Sequence, residues 1–210
     1  MKRLPIGITT LQSIKKDNCY YVDKTPFVKK LVDNGKYFFL SRPRRFGKSL
    51  FVDTLKQAFL GNKELFEGLY LEKNWDWSVK YPVIHIDFGG GFVKDQQDLK
   101  EWIIRQLKHH KLIYNLEIEE TNNIRFMFND LILNLYNTFK NPVVVLVDEY
   151  DKPILDNIEN TEKAIEIRDI LKDFYSVLKT AEPYLKFVFL TGVSRFSKVS
   201  IFSGLNQLQD

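Results

Sequence analysis

The stretch FLSRPRRFGKSLF, Phe39 to Phe51, decides how the rest of the chain is read. It ends in Gly47-Lys48-Ser49, the tail of the phosphate-binding pattern G-x-x-x-x-G-K-[ST], but Arg42 stands where the first glycine belongs. Three residues alone mean little; their setting carries the signal. An apolar run, YFFLS, precedes them, and Phe51, Leu55, Ala58 and Phe59 follow at helical spacing, so the loop joins a strand to an amphipathic helix. At such a helix start, unpaired N–H groups and the positive end of the dipole face an anion. A leading glycine serves the turn, whereas the N–H groups that wrap phosphates come mainly from the later residues and the first helical turn. Arg44 through Ser49 keep those donors. Pro43 removes one N–H and holds Arg42 extended, so phosphate binding is expected to survive along an altered loop path.

Outward from this loop lie three further continuous apolar runs beside KYFFLS (36–41): PVIHIDF (82–88), PVVVLV (142–147) and KFVFLT (186–191). Continuous rather than alternating runs suit strands buried on both faces of a parallel sheet. Between them, Leu99, Ile103 and Leu107, then Phe128, Leu131, Ile132, Leu135 and Phe139, then Ala164, Ile167, Ile170, Leu171, Phe174 and Val177 mark helical faces. The order β-α-β-α-α-β-α-β predicts a doubly wound α/β sheet. Loops are expected at 87–92, 111–123 and 151–160. Residues 1–35 read as an N-terminal extension packed on the core, with a turn and then a helix in NCYYVDKTPFVKKLV, and residues 36–210 as the main domain.

VVVLVDE ends a buried strand with Asp148 and Glu149, in the manner of a Walker B element followed by a catalytic glutamate. Lys48 would place a compact charge at the β- and γ-phosphates and Ser49 would ligate Mg²⁺. Asp148 would hold the Mg²⁺ shell, and Glu149 would polarise the attacking water. The expected cofactors are ATP and Mg²⁺, cradled by Arg44, Arg45, Phe46, Gly47, Lys48, Ser49 and Leu50. Arg42, Arg44 and Arg45 read either as loop charges that are solvated or paired with nearby acidic groups, which suits Arg42 better, or as added positive field around the triphosphate, which suits Arg44 and Arg45 better. Thr191, at the end of the last strand, is read as a γ-phosphate sensor or as an ordinary strand-end threonine. Arg195 is read as completing the site in cis, as a finger toward a neighbour, or as a structural ion pair.

The bulk numbers narrow the alternatives. At 210 residues and 44% apolar content the chain can bury a real core, and 31 basic against 27 acidic residues show no tail built to coat nucleic acid. Cys19 is the lone cysteine, which excludes an internal disulfide and fits a reducing, cytoplasmic address. MKRLPIGITT has no apolar core of a signal peptide, and no run approaches the roughly 18 residues of a membrane span. Asp87 with DLK (98–100) loosely imitates a nuclease pattern, although Asp98 also suits a helix cap. His85 reads as a sheet residue, KHHK (108–111) as a solvated helix face, and Trp75 and Trp77 as loop packing.

With YYVDKT (20–25), SRPRRFGKSL (41–50), VDEYDKP (147–153) and TGVSRFSKVSIFSGLN (191–206) in hand, the chain resembles the bacterial and archaeal AAA-ATPase-like family, whose members commonly carry a C-terminal PD-(D/E)XK nuclease-like domain. The resemblance implies a P-loop NTPase three-layer αβα sandwich of the Walker-B-glutamate class, with ATP and Mg²⁺ at Lys48, Ser49, Asp148 and Glu149. Arg42 is the usual residue in the resembled family's loop. The likeness also draws Asp23 and Lys24 toward the nucleotide, where the residues alone suggest a capped helix start. Such proteins usually continue past SGLNQLQD, so the chain reads as an N-terminal part without lid groups, and nucleic acid is a partner only through the missing module. Expected, then, is a Mg-dependent ATPase that drives or regulates that module; the alternative is a non-hydrolysing switch or scaffold.

Overall fold

A computed structural model describes residues 2–117, 121–194 and 209. Two helices, α1 (Leu11–Lys16) and α2 (Thr25–Asn34), precede β1 (Tyr37–Ser41). Then come α3 (Lys48–Leu60), the short α4 (Leu71–Asn74), β2 (Val83–Asp87), α5 (Gln96–Ile113), α6 (Ile124–Phe139) and β3 (Val143–Asp148). The one-turn α7 (Lys152–Leu155), α8 (Thr161–Thr180) and β4 (Leu185–Gly192) complete the described elements. Each of the four expected strands is present. α1, α4 and α7 are additions: a Thr10 side chain caps α1 and Pro153 opens α7, local chemistry too short to show a period. The expected 111–123 loop is also shortened, because α5 runs on to Ile113.

Among the described residues the strands form one parallel sheet in the order β1-β4-β3-β2. Alternation along β3 sorts the core. Val143, Val145 and Val147 face a layer made by α5, α6 and α8 through Leu99, Leu131 and Leu171. Val144 and Leu146 face the other layer, where α3 brings Phe51, Leu55 and Phe59 and the N-terminal helices bring Leu11 and Val28. Burial on both faces explains why the strands read as unbroken apolar runs. Trp75 and Trp77 pack on Phe59 and Phe66, with ring centroids 5.4 and 5.0 Å apart.

α5 also seals the outer edge of β2 with polar side chains one helical turn apart. Trp102 Nε1 donates to the Asp87 carbonyl at 3.1 Å, and Gln106 Oε1 accepts from Asp87 N–H at 2.8 Å. His110 Nε2 lies 3.0 Å from His85 N and 2.8 Å from its carbonyl, and Tyr114 OH serves both backbone groups of Val83. The KHHK run is therefore not one solvated face. His109 is exposed and His110 buried, because neighbouring helical positions point about 100° apart. The α5 cap is Asp95, whose carboxylate accepts from Asp98 N–H at 3.0 Å, while Asp98 accepts from Lys94 N–H at 3.0 Å. Among the described residues no helix is long and apolar enough to cross a membrane.

Candidate nucleotide site

All strands run the same way, so the loops after β1, β2, β3 and β4 leave from one edge of the sheet, where α/β folds place their ligands. The exits of β1 and β4 are tied together: Arg42 N–H donates to the Gly192 carbonyl at 3.2 Å and Ser41 Oγ to that of Val193 at 3.3 Å. Beyond Arg42 the chain turns through Arg45 (φ 68°) and Gly47 (φ 75°), both left-handed. The left-handed state costs a non-glycine residue about 1–2 kcal/mol, and left-handed residues in a turn give the conformation from which successive N–H groups can form an anion nest. Gly47 caps α3 with no side chain, so among the described residues the first N–H groups of the helix have no side-chain cap.

Lys48 explains the altered head of the loop. Its side chain is buried, and Nζ donates to the carbonyls of Arg42 and Pro43, both at 3.0 Å. The Arg42–Pro43 pair thus supplies oxygens that aim the lysine rather than N–H groups for a phosphate, and neither the absent glycine nor the proline ring removes a donor from Arg44–Ser49. The Ser49 hydroxyl has no hydrogen-bond partner among the described residues.

Across the cleft, the Asp148–Asp151 and Thr191–Ser194 stretches clasp each other. Thr191 Oγ1 donates to Asp148 Oδ1, which also accepts from Glu149 N–H at 3.0 Å. Tyr150 N–H donates to the Thr191 carbonyl at 2.9 Å, and Tyr150 OH to that of Ser194 at 2.9 Å. Buried Asp151 accepts the N–H groups of Val193 and Ser194 at 3.0 and 2.7 Å. Burial raises its carboxyl above the ordinary range, and those N–H groups pull it back only in part. Gly192 is required by the close approach: a Cβ there would strike the Tyr150 ring and lie 2.7 Å from Asp151 Oδ1.

Glu149, also left-handed at φ 53°, is turned into the cleft by this clasp. Burial raises its carboxyl, the charges of Asp148 and Asp87 raise it further, and Lys48 and Lys152 oppose them. Asp87 is the register partner of Asp148 on the neighbouring strand. A Cβ on Gly89 would sit 2.9 Å from Asp87 Oδ1 and 3.3 Å from Glu149 Oε2, so the glycine lets the two carboxylates share one end of the sheet.

One cleft of about 1030 Å³ is lined by all of Arg44–Leu50, by Glu149, by Lys24 and by the segment Pro5–Thr9. Asp148 and Thr191 stand behind it, both buried and bonded to each other; the Thr191 hydroxyl reaches the carboxylate and not the open space. Arg42 turns back, its guanidinium 3.0 Å from the Ser41 carbonyl. Arg195 lies outside the described residues.

A family model described as a predicted AAA-ATPase, AAA-ATPase-like, matches residues 5–202. The chain belongs to the AAA-ATPase-like family. That membership places it in the P-loop NTPase superfamily, as a domain of a kind that binds nucleotide. A curated protein of Azotobacter chroococcum mcd 1, described as an uncharacterized protein in the vnfD 5' region, is 50% identical to it over 210 residues. The match takes in 100% of this AAA-ATPase-like chain and 40% of the relative's own length. No solved structure matches the chain.

Three contributors to this AAA-ATPase-like site escaped the sequence reading. Pro5–Thr9 has no periodicity to mark it. Asp151 was visible only as part of a motif. Asp87 drew notice for a nuclease pattern, whereas its place at the end of a strand paired with the VVVLVDE strand was the informative signal.

Proposed function

We propose that the chain binds ATP with Mg²⁺ and hydrolyses it, using the phosphate loop at Arg44–Leu50 and the carboxylates at the ends of β2 and β3. The observation that carries this reading is the single cleft that takes in the whole loop and Glu149 together. The interposed β4, between the phosphate-loop strand and the strand of Asp148, supports the Walker-B-glutamate class.

The donor set suits a small hard cation. Ser49 offers a hydroxyl without a described partner, Asp148 keeps one carboxylate oxygen out of its bonds to Thr191 and Glu149, and Mg²⁺ ordinarily takes one or two such oxygens with the phosphates themselves. When bound, the ion would neutralise charge on the phosphate oxygens. Lys48, aimed by two carbonyls, binds the β- and γ-phosphates. Thr191 acts through Asp148 as a positioning residue. Glu149 orients a water and takes its proton as the water oxygen bonds to the γ-phosphorus; the bond to the β–γ bridging oxygen breaks, and ADP and phosphate leave. Arg195 is assigned to the transition-state charge, in cis or from a neighbour. In a longer protein the cycle would drive or regulate a nuclease-like module.

Calorimetry with Mg-ATP tests the binding half: Lys48→Ala is expected to lose at least about 100-fold in affinity, as loss of a charge-assisted phosphate contact in a sheltered site implies. Glu149→Gln tests the chemistry, retaining ATP while losing turnover. If the folded wild type binds ATP but never turns it over, the chain is a nucleotide switch and not a hydrolase.

A further inference from the structure

Lys24 is a cation at the cleft that the phosphate-loop motif does not contain. It precedes α2, and the residues on both sides of it are fastened to the start of α4. Asp23 accepts the N–H of Tyr70 at 2.8 Å and that of Thr25 at 2.8 Å. Thr25, fully buried, accepts the N–H of Leu71 at 3.2 Å. The backbone through Lys24 is thus held by its two neighbours, while its own side chain goes another way. Nζ lies 3.6 Å from the point where a Cβ of Gly47 would be, so the ammonium sits against the residue that opens α3. Lys24 lines the main cleft and also an apolar cavity of about 350 Å³ that shares Phe46, Gly47 and Lys48 with it. Among the described residues its ammonium makes no ion pair or side-chain hydrogen bond.

Charge shows what this placement lacks. Lys24, Arg44, Arg45 and Lys48 line the cleft, and among the described residues Glu149 is the one carboxylate that lines it with them. Like charges a few ångströms apart repel by about 1 kcal/mol in water and about 4 kcal/mol near a protein surface. The Lys24 side chain is exposed on four flexible carbons; its backbone is held through Asp23 and Thr25, and its ammonium nonetheless rests beside Gly47 and not out in solvent. A chain of phosphates is the ligand chemistry that turns the repulsion into attraction.

We propose that Lys24 is a second phosphate-binding lysine, brought to the loop from the N-terminal segment, whose ammonium donates to the phosphate chain beside Gly47 and Lys48. The proposal rests on the ATP-binding reading of the loop. Asp23 and Thr25 are then the residues that aim it, which accounts for three consecutive positions of the YVDKT stretch with one mechanism.

Calorimetry on the 210-residue chain separates the two readings, using Mg-ATP and adenosine at two salt concentrations. Lys24→Met is expected to weaken Mg-ATP about tenfold, to flatten the salt dependence and to leave adenosine binding alone. Lys24→Arg should stay within about threefold of wild type, a rescue that a structural role at an exposed side chain would not show. An unchanged melting temperature without nucleotide certifies the fold, with Lys24→Gln in reserve should the Met variant aggregate. If Lys48→Ala abolishes ATP binding and Lys24→Met and Lys24→Gln bind like wild type, Lys24 is only a solvated charge and the proposal is overturned. If Lys48→Ala binds ATP as well as wild type does, or wild type does not bind it, the loop reading itself fails and takes Lys24 with it.

Discussion

At Gly192 one hydrogen atom in place of a methyl group allows two motifs to meet. Thr191 must reach Asp148 on one side of it and Val193 and Ser194 must reach Asp151 on the other, so the backbone passes directly over the Tyr150 ring. Gly192→Ala forces a buried ring or a buried carboxylate to move, and overpacking of this kind costs about 1–3 kcal/mol. Urea unfolding should show that loss, with Mg-ATP turnover falling beyond it because Asp148 is displaced; a variant as stable as wild type would mean the clasp is loose. Glu149 gives a prediction with a defined sign. Its folded-state carboxyl titrates above the ordinary 4.5, so the native state keeps a proton that the unfolded chain has already released. Stability contributed this way is present in acid and is lost as pH rises from the unfolded value through the folded one. Glu149→Gln, which cannot ionise, should therefore melt above wild type at neutral pH, and the two curves should converge below about pH 4.5. Parallel curves at every pH would remove Glu149 from the cluster of mutually repelling carboxylates.

At the scale of an element, α5 replaces a neighbouring strand. A bare sheet edge is a template for unwanted pairing, and Trp102, Gln106, His110 and Tyr114 occupy the edge of β2 by a ladder of side chains on one helix face. His110 is the titrating rung. Burial lowers its pKa to about 4; its contact with the His85 backbone opposes the shift, and the charges of His85, His109 and Lys56 reinforce it. Below the ordinary 6.5 the unfolded chain takes up a proton that the native imidazole refuses, so stability drains away between about pH 6.5 and about pH 4. His110→Gln keeps a donor and an acceptor for His85 and cannot titrate. Its urea midpoint should fall less steeply than that of wild type across this window. Equal slopes would show that His110 is protonated in the native edge and that the ladder is not what acid attacks.

For the whole molecule, the sequence by itself determined the layers and named half of the candidate site. Unbroken runs such as PVVVLV could be buried only on both faces, and helical spacing between them left a covered parallel sheet as the solution. Gly47, Lys48 and Ser49 stood out as candidates because phosphate chemistry demands those types at that spacing, and Asp148 and Glu149 because a strand-end carboxylate pair, which alone could be a cap or a solvated charge, accompanies a phosphate loop. Tertiary structure alone decided what depends on neighbours distant in sequence. It carried Pro5–Thr9 to the loop and set the Lys24 ammonium beside Gly47, set Asp87 beside Asp148 through strand register, turned the Thr191 hydroxyl onto a carboxylate, and separated His110 from His109. Periodicity reports which face of an element is apolar, because burial is a property of the element. It does not report which polar group meets which, since a hydrogen bond or an ion pair is specified by a few tenths of an ångström between chain segments that only the packed core brings together.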